Sequence, residues 1–343
     1  MIFFYPLFGF GALTSLADAT IEQRLSQAEA ARRFLAAYPD FLTGYDAAKQ
    51  ELIGWDGTRL PLAGTEKNNC QDNTAALSSA SSSAGSQPCC SPGPLETLGV
   101  RYRPVAEYWP SRDDPPKPDE DAGRLRPLVL WTYMYGAPAA KNADGCWRTV
   151  KVGNSLQLLG GAVEKNLAPV VWKLAGNGVT IRVSRANGVD RHLAAVVAEL
   201  ETISAEAKAQ YRRIHGCGKT GVSGFYPRLV RGTICEISPH AFGVAIDVHW
   251  RPGLDYWLDS PQRGGYRYQS VMPKEIVAVF ERHGFIWGGK WRHFDGMHFE
   301  YRPELLDMTM PPVGRPSVAG ASGRTHAGKH RPGPRRPGSG RRR

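Results

Sequence analysis

Ten residues, Ser238 to Asp247 (SPHAFGVAID), restrict the local fold more than any other stretch of this chain. They hold a histidine, His240, and a carboxylate, Asp247, on either side of Gly243. On one continuous helix those two side chains would stand about two turns apart, roughly 10 Å along the axis. On one continuous strand they would point to opposite faces. They meet only if the chain turns between them, and Gly243 is the residue that tolerates such a turn.

After the turn, Val244, Ile246 and Val248 alternate with Ala245, Asp247 and His249, which is strand periodicity. The apolar set belongs in the core, and small Ala245 leaves room beside Asp247 for an ion. Further on, Met297, Phe299 and Tyr301 alternate with His298 and Glu300, so a second strand would present His298. Two histidines and one carboxylate make a three-ligand zinc site with one position left for water, the ligand set of a hydrolytic zinc. Such a site needs a base. Asp295, three before His298, and Glu300, two after it, both qualify by position.

The remaining histidines read differently. His192, His215, His283 and His293 are taken as ordinary surface or core residues, and His326 and His330 belong to a tail. His249 shares a face with Asp247 and is a secondary candidate, either for substrate contact or for supporting the metal ligands from behind.

Strands and helices are mixed without regular βαβ alternation, so the fold class is α+β. Residues 1–19 form an apolar run ending in Ala17-Asp18-Ala19, the pattern of a cleaved signal peptide, without the usual positive charge near Met1. Export to the periplasm, cell envelope or medium follows, with no membrane span after processing. Residues 20–67 read as an N-terminal helical segment opened by a capping box at Thr20-Ile21-Glu22-Gln23 and closed before Pro39. Residues 68–94 are Ser, Gly and Pro rich and read as a disordered insertion. Residues 95–310 form the main domain, with Val179–Ser184 as a strand, Asp190 capping a helix that buries Leu193, Val196, Val197 and Leu200, and Pro273 opening another that stops at Gly284. Residues 311–343 carry nine Lys and Arg and no Asp or Glu, which accounts for most of the net charge of +11. That tail reads as disordered. No aromatic residue is interleaved in it, so no specific nucleic-acid platform exists, and an anionic envelope polymer is the plainer partner. Six cysteines (Cys70, Cys89, Cys90, Cys146, Cys217 and Cys235) suit an oxidising compartment, with their pairing open.

Ser238, His240, Gly243, Ala245 and Asp247, followed by Asp295 and His298, match S-x-H-x-x-G-x-A-x-D and the later carboxylate-x-x-His. In these residues, over about 181–306, the chain resembles the zinc D-alanyl-D-alanine carboxypeptidases and the related L-alanyl-D-glutamate endopeptidases, the VanY-like metallopeptidases. WGGKW (Trp287 to Trp291) and GMHFEY add to the likeness. The resemblance implies one Zn2+ on His240, Asp247 and His298, with Asp295 as catalytic base. It implies substrate contacts from Ser238 and Arg228, with Arg231 the weaker arginine, and a hedgehog-like fold: a small antiparallel sheet with helices packed on one side. The implied activity is hydrolysis of peptidoglycan stem peptides. His249 departs from the Asn more usual in relatives. A reading of another class is a non-catalytic zinc-containing wall-binding module, against which the carboxylate at Asp295 stands.

Overall fold

A computed structural model describes residues 26–63 and 93–315, apart from 112, 142–146, 154, 175–177, 216–220, 232–235, 249–255 and 258–269. The expected signal peptide, all six cysteines, His249 and most of the insertion and tail lie outside the described residues.

The described chain opens with helix α1 (Gln27–Ala37). Its cap is Ser26, whose hydroxyl accepts from the Glu29 N–H at 3.1 Å, while the capping box expected at Thr20-Ile21-Glu22-Gln23 lies outside the described residues. Ser26 and Glu29 stand in the S-x-x-E spacing of a capping box. Residues 42–61, expected within a helical segment, form a three-stranded antiparallel sheet: β1 (Leu42–Asp46), β2 (Glu51–Gly54) and β3 (Arg59–Pro61). Helices α2 (Pro94–Leu98) and α3 (Leu128–Tyr135) follow, then the hairpins β4 (Thr149–Val152) with β5 (Ser155–Leu158), and β6 (Leu167–Trp172) with β7 (Val179–Ser184). Helices α4 (Val189–Leu200) and α5 (Ala205–His215) come next. The N-cap position of α4 is Gly188, with Asp190 in the first turn rather than at the cap, because Asn187 and Gly188 both adopt left-handed backbone there.

The last sheet contains the motif residues. Strands β8 (Ala245–Asp247), β9 (Phe285–Trp287) and β10 (His298–Tyr301) are antiparallel in the order β8-β10-β9. Helix α6 (Lys274–Arg282) packs on β9 and buries Ile276, Val277 and Phe280 completely. Phe280 stacks on Phe299 of the central strand with ring centroids 3.8 Å apart. Burying the apolar face of β8–β10–β9 in this way holds the opposite face rigid, and the polar residues stand on that face. The molecule is thus a mixed α+β structure with small antiparallel sheets.

The ends of the described chain close on the same core. The Tyr38 hydroxyl donates to Glu304 at 2.6 Å, and the Met310 N–H to the Ala36 carbonyl at 2.9 Å. Residues 311–315, expected to begin a disordered tail, are docked: the Val313 and Gly314 N–H groups both donate to the Asp40 carboxylate at 2.9 Å. A buried carboxylate that receives two amides pins the chain where composition alone suggests none of this. Among the described residues no helix is long and apolar enough to cross a membrane.

Candidate metal centre

His240 sits in a short 3-10 turn, Pro239–Phe242, that ends at Gly243. Gly243 has φ +68°, the left-handed conformation that glycine reaches without a Cβ clash. It is also tightly packed, since a Cβ there would lie 2.7 Å from Leu167 Cδ2 and 2.9 Å from the Ser184 nitrogen. The turn releases the chain directly into β8, where Asp247 pairs across the ladder with His298 of β10. Cross-strand partners share a face at close range, so the register itself places the second and third residues side by side. Ala245 lies opposite Glu300, two pairs further along.

Asp247 Oδ1 is 3.2 Å from His240 Nε2 and 3.0 Å from His298 Nδ1. One ligand atom from each of the three residues falls within 4.8 Å of the others. Donors about 2.0–2.1 Å from a tetrahedral zinc stand roughly 3.3 Å apart, so these separations suit such an ion. The other ring nitrogens are engaged. His240 Nδ1 donates to the Gly224 carbonyl at 2.7 Å, and His298 Nε2 donates to Glu300 Oε2 at 3.3 Å. Each imidazole therefore turns its remaining nitrogen to Asp247, the arrangement in which outer hydrogen bonds orient metal-binding histidines. Ser223 hydroxyl donates to Asp247 Oδ2 at 3.4 Å.

Glu300, a candidate base by position, is fully buried. Arg126 donates to it at 2.9 Å and Arg302 at 2.9 Å. Burial alone would raise its pKa, but these guanidiniums and His298 hold it well below the usual carboxylate range. A carboxylate so committed orients His298 and is a poor acceptor of a further proton. Asp295 is the opposite case. Its Oδ1 is buried without a hydrogen-bond partner, and burial, opposed by His298, pushes the carboxyl up to about 7.

His240, Asp247, His298 and Asp295 line one cavity of about 400 Å3, whereas Glu300 lies behind its wall. Arg228, Arg231 and Ser238 line it too, as does Met297, which the alternation of β10 had assigned to the core. Met297 precedes the first strand residue, so strand alternation does not yet govern it. Arg228 turns one Nη to its neighbour's carbonyl, Leu229, at 3.2 Å, and Arg231 lies over the Tyr256 ring at 5.8 Å. His293, read from sequence as an ordinary residue, also lines the cavity, with Nδ1 2.5 Å from Asp121. Trp291 packs against His298 with ring centroids 5.5 Å apart.

Residues 231–301 match a family model described as D-alanyl-D-alanine carboxypeptidase. That match supports a peptidase of this family. The matched segment carries Ser238, His240, Asp247, Asp295, His298 and Glu300, while Arg228, Arg126, Asp121 and Ser223 lie outside it. No curated protein and no solved structure matches the chain.

The sequence did not single out Arg126, Asp121, Ser223 or Gly224. Ser223 and Gly224 come from the segment before the motif, 24 and 16 positions from the residues they bond, and Arg126 is 174 positions from the Glu300 it holds. His293 carried a local signal that was available, a second histidine two residues before Asp295.

Proposed function

We propose that this chain is an exported zinc peptidase that hydrolyses the stem peptides of peptidoglycan, on a hedgehog-like arrangement of the β8–β10–β9 sheet and its helices. The observation that carries this reading is the pairing of a His–Asp–His cluster with the unpartnered Asp295 Oδ1 on one cavity wall. His240, Asp247 and His298 would hold the metal. Bound there, zinc would bring a water toward neutral acidity and polarise the scissile carbonyl. Asp295 Oδ1 takes a proton during attack and returns it to the leaving nitrogen. A carboxyl poised near neutrality suits both halves of that task. Arg228 binds a substrate carboxylate as a two-pronged donor, and Ser238, buried at the cavity edge, contacts the peptide; Arg231 is the second cation of that wall. The basic tail beyond residue 315 would hold the enzyme to anionic envelope polymers.

The deciding experiment incubates the purified, zinc-loaded full chain with muropeptides and reads the products by mass spectrometry. Released D-Ala identifies a carboxypeptidase, and split stems an endopeptidase. The Asp295→Ala protein is expected to bind zinc and release neither. Zinc binding by the unaltered chain with no cleavage of any stem would instead make it a non-catalytic wall-binding module.

A further inference from the structure

Among the described residues, His293 is the one cavity-lining histidine outside the metal cluster, and its surroundings are built. Asp121 grips it twice, through the ring nitrogen Nδ1 at 2.5 Å and through the backbone N–H at 3.2 Å. The Trp257 ring meets the imidazole edge-on at 4.4 Å between centroids. An N–H at Nδ1 that donates to a carboxylate fixes the neutral tautomer with the lone pair on Nε2. That Nε2 takes no hydrogen bond among the described residues. Its ring is partly exposed, with 22% of the side chain accessible.

The chain bends through Trp291 to His293 and then makes a single antiparallel bridge at Asp295 with Tyr256. Phe294 is buried in the core, its carbonyl accepting the Trp257 N–H at 3.1 Å, while its neighbours His293 and Asp295 both line the cavity. His293 and Asp295 thus share the cavity side of this segment, with Phe294 between them turned into the core. A leaving nitrogen that takes its proton from Asp295 would approach the part of the lining that His293 shares.

We propose that His293, held by Asp121, is a further substrate-contacting residue whose Nε2 accepts a hydrogen bond from the N–H of the leaving group beside Asp295. No bond is made or broken at His293; it orients the scissile amide so that its nitrogen faces the Asp295 carboxyl. The inference rests on the peptidase reading above. Asp121 acts through His293 and is a positioning residue.

The test uses the zinc-loaded full chain on a stem peptide and on the matching depsipeptide, in which the leaving N–H is replaced by oxygen. His293→Phe keeps a ring against Trp257 and removes the acceptor. We expect it to lower kcat/KM on the amide by about tenfold or more, with unchanged zinc content and thermal unfolding, and to lower it much less on the ester. Asp121→Asn is expected to show the same amide-selective loss, smaller in size, because the imidazole remains but its tautomer is released. Equal losses on amide and ester, or full amide activity in His293→Phe, overturn the inference. Asp295→Ala separates the two readings. If the unaltered chain cleaves the amide, Asp295→Ala does not, and His293→Phe is fully active, only the role of His293 fails. If the unaltered chain cleaves nothing, the peptidase reading fails and takes this one with it.

Discussion

Glu300 Oε2 lies 3.3 Å from His298 Nε2, on the side of the ring away from Asp247. The carboxylate therefore decides which nitrogen of His298 is offered to a metal. Glu300→Gln should keep a weaker hydrogen-bond partner for the ring while leaving Arg126 and Arg302 without their shared anion. Loss of such an outer-sphere partner lowers metal affinity by about 10- to 100-fold. Competition against a chelator of known affinity measures this directly; unchanged zinc affinity would show that Glu300 does not orient the ligand.

Zinc binding should be strongly pH dependent. In the metal-free protein burial alone pulls the His298 imidazole down, but the Asp247 and Glu300 carboxylates more than offset it and hold the group up to about 9. A proton on His298 competes with the metal, so affinity is lowest at acid pH and rises until the ring is free of its proton. Between pH 7 and 9 the apparent affinity should climb by about tenfold per pH unit and flatten above 9. Chelator-buffered titrations at four pH values test it, and a flat profile over that window contradicts it.

Gly243→Ala should damage the site from a distance. The new Cβ would press on Leu167 and the Ser184 backbone at a residue with φ +68°. The expected cost is about 1–3 kcal/mol of stability, together with loss of metal, because the turn carries His240 toward Asp247. Thermal unfolding and zinc content should fall together. A variant as stable and as fully loaded as the parent would remove the role given to this turn.

Acid should weaken the fold through His192. Burial, with help from the nearby His283 and Arg191, lowers this imidazole from 6.5 to about 4. The unfolded chain then binds a proton below pH 6.5 that the folded chain refuses. The contribution is fully present above pH 6.5 and is lost as pH falls through about 4. After allowance for the partial exposure of the ring, it amounts to about 1–2 kcal/mol. Replacing His192 by Leu should flatten the stability profile over that window, as read by denaturant midpoints at pH 4, 5.5 and 7. An unchanged slope would assign the acid sensitivity to other groups.

The centre was legible wherever its parts are neighbours along the chain. A turn at Gly243, alternation in 244–248 and 298–301, and a carboxylate before His298 are local patterns, and local backbone sterics enforce them. Glu300 shows the limit. Its direction followed from alternation, but its role depends on Arg126 and Arg302, and nothing near Glu300 announces the first of these. His293 shows it again: its place two residues before Asp295 is a local hint, but only the approach of Asp121 and Trp257 shows the ring to be held in the cavity. The three-stranded sheet of residues 42–61 was missed because its strands are short and lack clean alternation. Short strands take their stability from pairing partners more than from their own residues.

By itself, then, the sequence determined the α+β character, the candidate metal ligands and two possible bases, since these rest on residue identity and short-range periodicity. The tertiary structure alone decided the rest. The β8–β10 register set His298 against Asp247. Buried guanidiniums from other elements committed Glu300 to structure and left Asp295 Oδ1 without a partner. The reason is physical: a carboxylate's charge, hydrogen bonds and proton affinity are set by whatever folding brings against it, and here those groups come from far along the chain.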